Sequence, residues 1–133
     1  MCLLALDIGD KRIGIAVSDK LHIAAYPYSI EENDDSFLSK LSKIIKEKKI
    51  SEIIVGLPVN LKGEEGFQAK KVIDFSEKLK EKIKLKITLY DERFSTKESK
   101  KKLLEIKKNN KISIDKYAAA VILENYMMQN KIS

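Results

Sequence analysis

The stretch of residues 3–19 constrains the fold of this chain more than any other. Four apolar residues at 3–6 end abruptly at Asp7, and after a turn at 8–11 apolar residues alternate with small ones from Ile13 to Val17. This pattern predicts a buried strand, a tight turn and a second strand beside the first. A strand that is apolar throughout is normally buried on both faces. A carboxylate at its end is costly unless a metal ion, an arginine or backbone N–H groups meet it, although Asp7 alone is equally well read as a turn aspartate.

The remaining hydrophobic periodicity predicts an alternation of strands and helices. An extended segment at 23–30 comes first, followed by a helix over 37–45 with N-cap candidates at 33–35. A strand at 52–57, a helix at 64–83 and a strand at 85–90 come next. Two helices end the chain, one from a capping box at 95–98 to about 106 and one at 113–128. Three strands in a meander followed by strand–helix alternation predict an α/β fold with a mixed five-stranded sheet, helices on both faces and the first strand in the centre. No linker divides residues 1–133, so we expect one domain.

Composition narrows the functional classes. No apolar run approaches the ~20 residues of a membrane span, and no signal peptide is evident, so we expect a cytoplasmic protein without membrane contact. A single cysteine and a single histidine, Cys2 and His22, exclude an internal disulfide and a cysteine- or histidine-rich zinc site. The net charge of +6 favours a polyanionic partner such as nucleic acid, although many lysines are also ordinary solvated helix faces. Only Arg12 and Arg93 are arginines, and their planar fork suits phosphate or carboxylate.

Three acidic residues lie where chemistry is expected. Asp7 ends the first strand, Glu92 follows the last strand, and Asp115 lies in the first turn of the last predicted helix, on the same face as Ala118 and Ala119. The alanines allow this helix to approach the sheet, and ligands of open α/β sheets gather at the carboxyl ends of strands. Three carboxylates that met there would repel one another without a cation.

A divalent cation would resolve that repulsion. Mg²⁺ is held by carboxylates and substrate phosphates, and two such ions, about 3.5–4 Å apart, clamp a phosphodiester for attack by water. Each acid also has an ordinary role: Asp115 as a favourable anion at a helix N-terminus, and Glu92 as a loop acid or a partner of Arg93. The sequence pattern leaves these roles open for any one residue alone.

Four blocks of the sequence, taken in order, resemble the motifs of the YqgF family. The blocks are LDIGDKRIGIAVSD at 6–19, IVGLPVNLKGEEG at 54–66, YDERFST at 90–96 and DKYAAAVIL at 115–123. This family is also called RuvX, and its members are described as candidate Holliday junction resolvases and pre-16S rRNA nucleases. The resemblance implies a ribonuclease H-like fold and a phosphodiesterase of the two-metal-ion type that uses Mg²⁺ or Mn²⁺.

The resemblance also implies roles for individual residues. By position, Asp7, Glu92 and Asp115 are the implied catalytic and metal-binding acids, and Lys11, Arg12, Asn60, Lys62 and Arg93 are the implied contacts to nucleic acid. One position departs from the family pattern, because Asp10 stands where a small hydroxylated residue is typical. An extra acid beside Asp7 would either bind metal or repel phosphate.

Three functions follow from these observations. The main expectation is a nuclease that acts on RNA or branched DNA, in processing of the 5′ end of pre-16S rRNA or on Holliday-junction-like DNA, as a monomer or homodimer. The second is a non-catalytic ribonuclease H-like module that binds nucleic acid, although carboxylates facing phosphate hinder binding when metals are absent. The third is a phosphate-binding domain of the sugar kinase and actin type, suggested by DIGDKRIG at 7–14. That class needs two such domains to enclose ATP, and this chain supplies one.

Overall fold

The computed structural model describes residues 1–58, 66–91 and 111–132, and side chains of the last segment over 117–129. Its elements are β1 (Cys2–Ile8), β2 (Arg12–Ser18), β3 (Ala25–Glu32), α1 (Phe37–Lys48), β4 (Ile50–Leu57), α2 (Phe67–Lys82), β5 (Lys86–Asp91) and α3 (Lys111–Ile132). The helix predicted from 95 to about 106 lies outside the described residues. Within the described ranges, no helix combines the length and apolar composition of a membrane-spanning segment.

The five strands form one mixed sheet in the order β3-β2-β1-β4-β5. β1 pairs antiparallel with β2 and parallel with β4, while β2 pairs antiparallel with β3 and β4 pairs parallel with β5. The prediction of a mixed five-stranded sheet with the first strand in its centre is therefore confirmed. The physical reason is burial, because the four apolar residues at 3–6 are each at most 5% exposed and need neighbours on both sides and both faces.

Alternate side chains of β1 enter two different cores. One core lies under α1 and α2 and contains Leu4, Leu6, Ile8, Phe37, Leu41, Val72 and Leu79. The other lies under α3 and contains Leu3, Ala5, Ala119, Leu123 and Met127. Helices thus cover both faces, as predicted. Because successive strand residues point to opposite faces, Asp7 belongs to the face that α3 covers.

The last helix begins earlier than the sequence indicates. α3 starts at Lys111, two residues before the predicted start, and its first turn carries no acidic residue. Asp115 therefore lies in the second turn, and its predicted place in the first turn is wrong. Because the effect of the helix macrodipole falls off within the first turn, it favours an anion at Asp115 less than the predicted start implied.

The start of α1 also differs from the prediction. The N-cap is Ser36 rather than a residue at 33–35, and Asp34 accepts a 2.9 Å hydrogen bond from the Ser36 N–H. Hydrogen bonds from the Ser36 hydroxyl and N–H lower the pKa of the Asp34 carboxyl. Asn33 is left free for a different contact, described below.

The loop between β2 and β3 is organised by one carboxylate. Asp19 Oδ1 accepts hydrogen bonds from the N–H of Ala24 at 3.1 Å and of Ile23 at 2.7 Å. These bonds, that of Ala24 first, lower the pKa of the Asp19 carboxyl. They hold a loop in which His22 has a positive φ of 56°, a conformation that is uncommon for residues other than glycine.

Candidate active site

A small pocket lies at the carboxyl end of the central strand, against the turn that joins β1 to β2. It has a volume of about 220 Å³ and is lined by Asp7, Gly9, Lys11, Arg12 and Gly14. Three residues that the sequence singled out, an acid and two bases, therefore meet in one place. A carboxylate beside an ammonium and a guanidinium offers an oxygen ligand for a cation and two donors for a phosphate.

Glycines flank the Asp7 carboxylate on both neighbouring strands. Gly14 of β2 is the antiparallel partner of Asp7. On the other side Val55 of β4 pairs with Leu6, so Gly56 occupies the position next to Asp7. Cross-strand side chains on one face normally stand about 4.5–5.5 Å apart. Neither neighbouring strand therefore contributes a side chain at the position next to the Asp7 carboxylate.

The turn that carries the basic residues has a close backbone approach. The N–H of Gly9 donates to the carbonyl of Arg12 at 2.9 Å. A Cβ atom at Gly9 would lie only 2.8 Å from that same carbonyl oxygen. The turn therefore requires glycine at this position, and the requirement is one of space.

Asn33, which follows β3, braces the turn from the side. Its Nδ2 donates to the Gly9 carbonyl at 2.8 Å, and its backbone N–H donates to the Lys11 carbonyl at 2.9 Å. Sequence reasoning treated Asn33 as a helix cap and missed this contact. The one usable signal was its position directly after a strand that pairs with β2, at the level of Arg12.

Asp10, at the tip of the turn, is paired with a lysine from α2. The Nζ of Lys71 lies 3.1 Å from Asp10 Oδ1, and it also lies 4.6 Å from the centroid of the Phe67 ring. The sequence offered no signal for this pair, because its members are 61 positions apart. Asp10 is therefore an acid with a defined counter-ion.

A hydrogen bond near the carboxyl end of α3 joins this helix to the sheet. The hydroxyl of Tyr126 donates to Glu52 Oε2 at 2.7 Å, and Glu52 pairs with Leu3 at the amino end of β1. This bond joins α3 to β4, and a position of Asp115 near Asp7 stays a prediction.

The other predicted site residues cannot be placed relative to the pocket. Glu92, Asn60, Lys62 and Arg93 lie outside the described residues, as does the side chain of Asp115. Among the described residues alone, no three histidine, cysteine, aspartate or glutamate side chains form a group able to hold a metal ion. The predicted metal centre draws two of its three acids from the other parts of the chain, so it stays a prediction.

The strand before Glu92 ends at the same edge of the sheet as the pocket. Tyr90 pairs with Gly56, two strands across from Asp7, so β5 leaves the sheet at the same edge as β1. Burial, and secondarily the charge of Asp91, raises the pKa of the Tyr90 hydroxyl. Within the described part of the chain this hydroxyl has no hydrogen-bond partner, while its ring packs edge-on against Tyr126 with centroids 6.0 Å apart.

Comparisons with known proteins point to one family. A family model described as "RuvX: Holliday junction resolvase" matches residues 1–129. The "Putative pre-16S rRNA nuclease" of Sulfurihydrogenibium sp. is 45% identical over 128 residues, which cover 94% of this chain and 88% of that protein. The protein of the same name from Desulforamulus reducens is 42% identical over 132 residues, covering 96% of each.

Solved structures show the same architecture at low sequence identity. Thermus thermophilus RuvC has a TM-score of 0.58 at 10% identity, over 98% of this chain and 97% of that one. The same resolvase in complex with a Holliday junction substrate has a TM-score of 0.56 at 12% identity, over 97% and 96%. These likenesses show a RuvC-like fold, which confirms the ribonuclease H-like architecture implied by the sequence blocks.

Proposed function

Because the chain belongs to the RuvX family of Holliday junction resolvases, we propose that it is a cytoplasmic nuclease that hydrolyses phosphodiester bonds of structured nucleic acid. The observation that carries this proposal is the pocket that joins Asp7 with Lys11 and Arg12 at the carboxyl end of the central strand. The names of its relatives are consistent with two substrates, pre-16S rRNA and a junction-like DNA, and we propose the 5′ end as the cleaved part of the RNA. The assay below distinguishes them.

The basic residues of the pocket supply the contacts to phosphate. The Arg12 guanidinium presents a planar pair of donors to the non-bridging oxygens, whereas Lys11 acts as a point charge beside it. Because donors at the reacting phosphate gain strength as charge develops, both residues stabilise the transition state more than the bound substrate. Asn60, Lys62 and Arg93 are proposed to hold the adjoining backbone from the segments that follow β4 and β5.

The donor set fits a hard divalent cation. Asp7 presents a carboxylate between two glycines of the neighbouring strands, and Glu92 and Asp115 are the proposed further ligands. When bound, Mg²⁺ or Mn²⁺ would polarise the phosphate and lower the pKa of the attacking water. Without a cation, the Asp7 carboxylate would repel an anionic substrate. Lys11 and Arg12 in the same pocket, together with a bound cation, would offset that repulsion.

Cleavage of two labelled substrates tests the proposal. The parent protein is incubated with an RNA that spans the 5′ end of mature 16S rRNA, and with a four-way DNA junction, with Mg²⁺ or with EDTA. We expect Mg²⁺-dependent cutting of one substrate, and loss of at least about a hundredfold in rate for Asp7→Asn with binding retained. The matched control is Asp19→Asn, since Asp19 lies in a loop at the opposite end of β1 and β2.

Three results would contradict this function. Binding of both substrates without cutting would identify a non-catalytic nucleic-acid module. Equal cutting by the parent and by Asp7→Asn would remove the pocket from the reaction. Turnover of ATP without nucleic acid would favour the sugar kinase type. The expectation of a monomer or homodimer stays a prediction, which light scattering with and without substrate checks.

A further inference from the structure

Asp10 raises an electrostatic question for any anionic substrate. It lies in the turn between Gly9 and Lys11, both of which line the pocket of Asp7, and its side chain is 64% exposed. A second carboxylate at the mouth of a phosphate site repels the phosphate. Water weakens this repulsion, and the repulsion is stronger where the protein excludes water. An unpaired Asp10 would therefore oppose binding at the pocket.

Lys71 neutralises the charge of Asp10, and its ammonium group makes two contacts. Its Nζ lies 3.1 Å from Asp10 Oδ1 and 4.6 Å from the centroid of the Phe67 ring. Phe67 is 78% exposed and is the first residue of α2. A cation over the face of an aromatic ring is attracted by the ring quadrupole. The ammonium is thus held beside the turn from two sides, by an ion pair and by a ring.

The pair does not have an evident purpose within α2 itself. The first turn of this helix contains no acid, and its N-cap, Gly66, provides no side-chain acceptor. A lysine near the positive end of a helix gains nothing from the macrodipole. An ion pair between side chains 45% and 64% exposed also adds little to folding stability. The position of this ion pair beside the pocket therefore says more about its role than its contribution to folding stability does.

We propose that Lys71 is a positioning residue whose role is to neutralise Asp10, so that a phosphate backbone can approach Asp7, Lys11 and Arg12. The inference rests on the proposed function only in taking the substrate to be a nucleic acid. It predicts that Lys71 and Asp10 act as a coupled pair on binding. It also explains how this chain carries an acid at a position where the family resemblance led us to expect a small hydroxyl residue.

A double-mutant cycle tests this coupling. The variants Lys71→Met, Asp10→Asn and their combination are compared with the parent by fluorescence anisotropy, using the labelled RNA and the DNA junction over a series of salt concentrations. Ca²⁺ replaces Mg²⁺ in these assays, so that a divalent cation still neutralises the carboxylates of the pocket. We expect Lys71→Met alone to weaken binding about tenfold, and to weaken it less than about threefold when Asp10→Asn is already present. Asp10→Asn alone should bind slightly more tightly than the parent.

A neighbouring lysine provides the matched control. Lys70→Met removes the same unit charge from the same helix, and it should weaken binding by the same small factor with or without Asp10→Asn, through the general electrostatic term. Melting temperatures of all variants should stay within about 4 °C of the parent, because the pair is exposed. A larger decrease for Lys71→Met alone would indicate a structural role instead.

The outcomes separate this inference from the nuclease proposal. Equal losses for Lys71→Met in both backgrounds would show that Lys71 contacts phosphate directly, and would overturn the neutralisation. Loss of Mg²⁺-dependent cutting in Asp10→Asn would identify Asp10 as a metal ligand and overturn it as well. Binding with intact coupling but without cutting would refute only the nuclease. Failure of the parent to bind either nucleic acid would refute both.

Discussion

Asn33→Asp replaces the side chain that braces the pocket turn with one of the same shape and the opposite hydrogen-bonding character. Asn33 Nδ2 donates to the Gly9 carbonyl at 2.8 Å, so a carboxylate would place an acceptor against an acceptor. The backbone bond from Asn33 to the Lys11 carbonyl, 2.9 Å long, remains in every variant. The substitution therefore removes one of the two links between the turn and the end of β3.

The expected cost follows from that single contact. Loss of a partly buried hydrogen bond costs about 0.5–1.5 kcal/mol, and a carboxylate facing a carbonyl oxygen adds about 1.4 kcal/mol for each unit by which its pKa is raised. For a pKa raised by about one unit, the total is about 2–3 kcal/mol. With an entropy of unfolding near 2.1 cal/mol/K per residue, each kcal/mol lowers the melting temperature of a 133-residue chain by about 4 °C. Asn33→Ala should cost only about 1 kcal/mol, the hydrogen-bond share.

The two variants differ in their response to pH. In Asn33→Asp the introduced carboxyl has a raised pKa in the folded state, so the folded protein binds the extra proton as the pH falls towards the ordinary value near 4. The protonated carboxyl donates to the Gly9 carbonyl again, and the loss of stability relative to the parent shrinks. Asn33→Ala has no such group, so its loss relative to the parent should not change with pH.

Urea denaturation of the parent and both variants between pH 4 and pH 8 measures these differences. Cleavage should also fall by at least about tenfold in both variants, because the turn positions the two basic residues of the pocket. If Asn33→Asp proves as stable as the parent at pH 7, the amide donates elsewhere and the proposed brace is wrong. If both variants are destabilised but cut at the parent rate, the brace serves only the fold.

Three further predictions concern hydrogen bonds that hold the sheet, its loops and α3 together. Ser18→Ala should lower the free energy of unfolding, measured by urea denaturation, by about 1–3 kcal/mol, because the buried Ser18 hydroxyl accepts a 2.8 Å hydrogen bond from the Leu3 N–H of β1. Ser29→Ala is the control and should leave this free energy unchanged, since the buried Ser29 hydroxyl has no hydrogen-bond partner in the described part of the chain. Tyr126→Phe should cost about 1.5–3 kcal/mol by losing its bond to Glu52, and should slow cleavage because α3 carries the third predicted acid. Asp19→Ala should lower the melting temperature at pH 7. The difference from the parent should vanish as the pH falls below about 4 and through the lowered pKa of Asp19, because the parent then also loses this charge. A difference in melting temperature that does not change with pH would contradict this prediction.

Much of the architecture was predictable because it depends on local pattern. The apolar run at 3–6 requires cover on both faces, so β1 had to be central. Asp7, Lys11 and Arg12 meet because five positions and one tight turn separate them, and a hairpin leaves them no other arrangement. The start of α3 was misjudged, since Lys111 carries no start signal and the serine at 113 does.

Local patterns in the chain were enough to predict the mixed sheet and its central strand from apolar burial. They also predicted the acid and two bases at the end of that strand, because residues close in the chain have few ways to meet. Packing between distant segments sets three further contacts: the brace from Asn33, the pairing of Lys71 with Asp10 and the position of Gly56 beside Asp7. Those contacts depend on strand register and helix packing, which are set by the combined burial of many side chains rather than by any short motif.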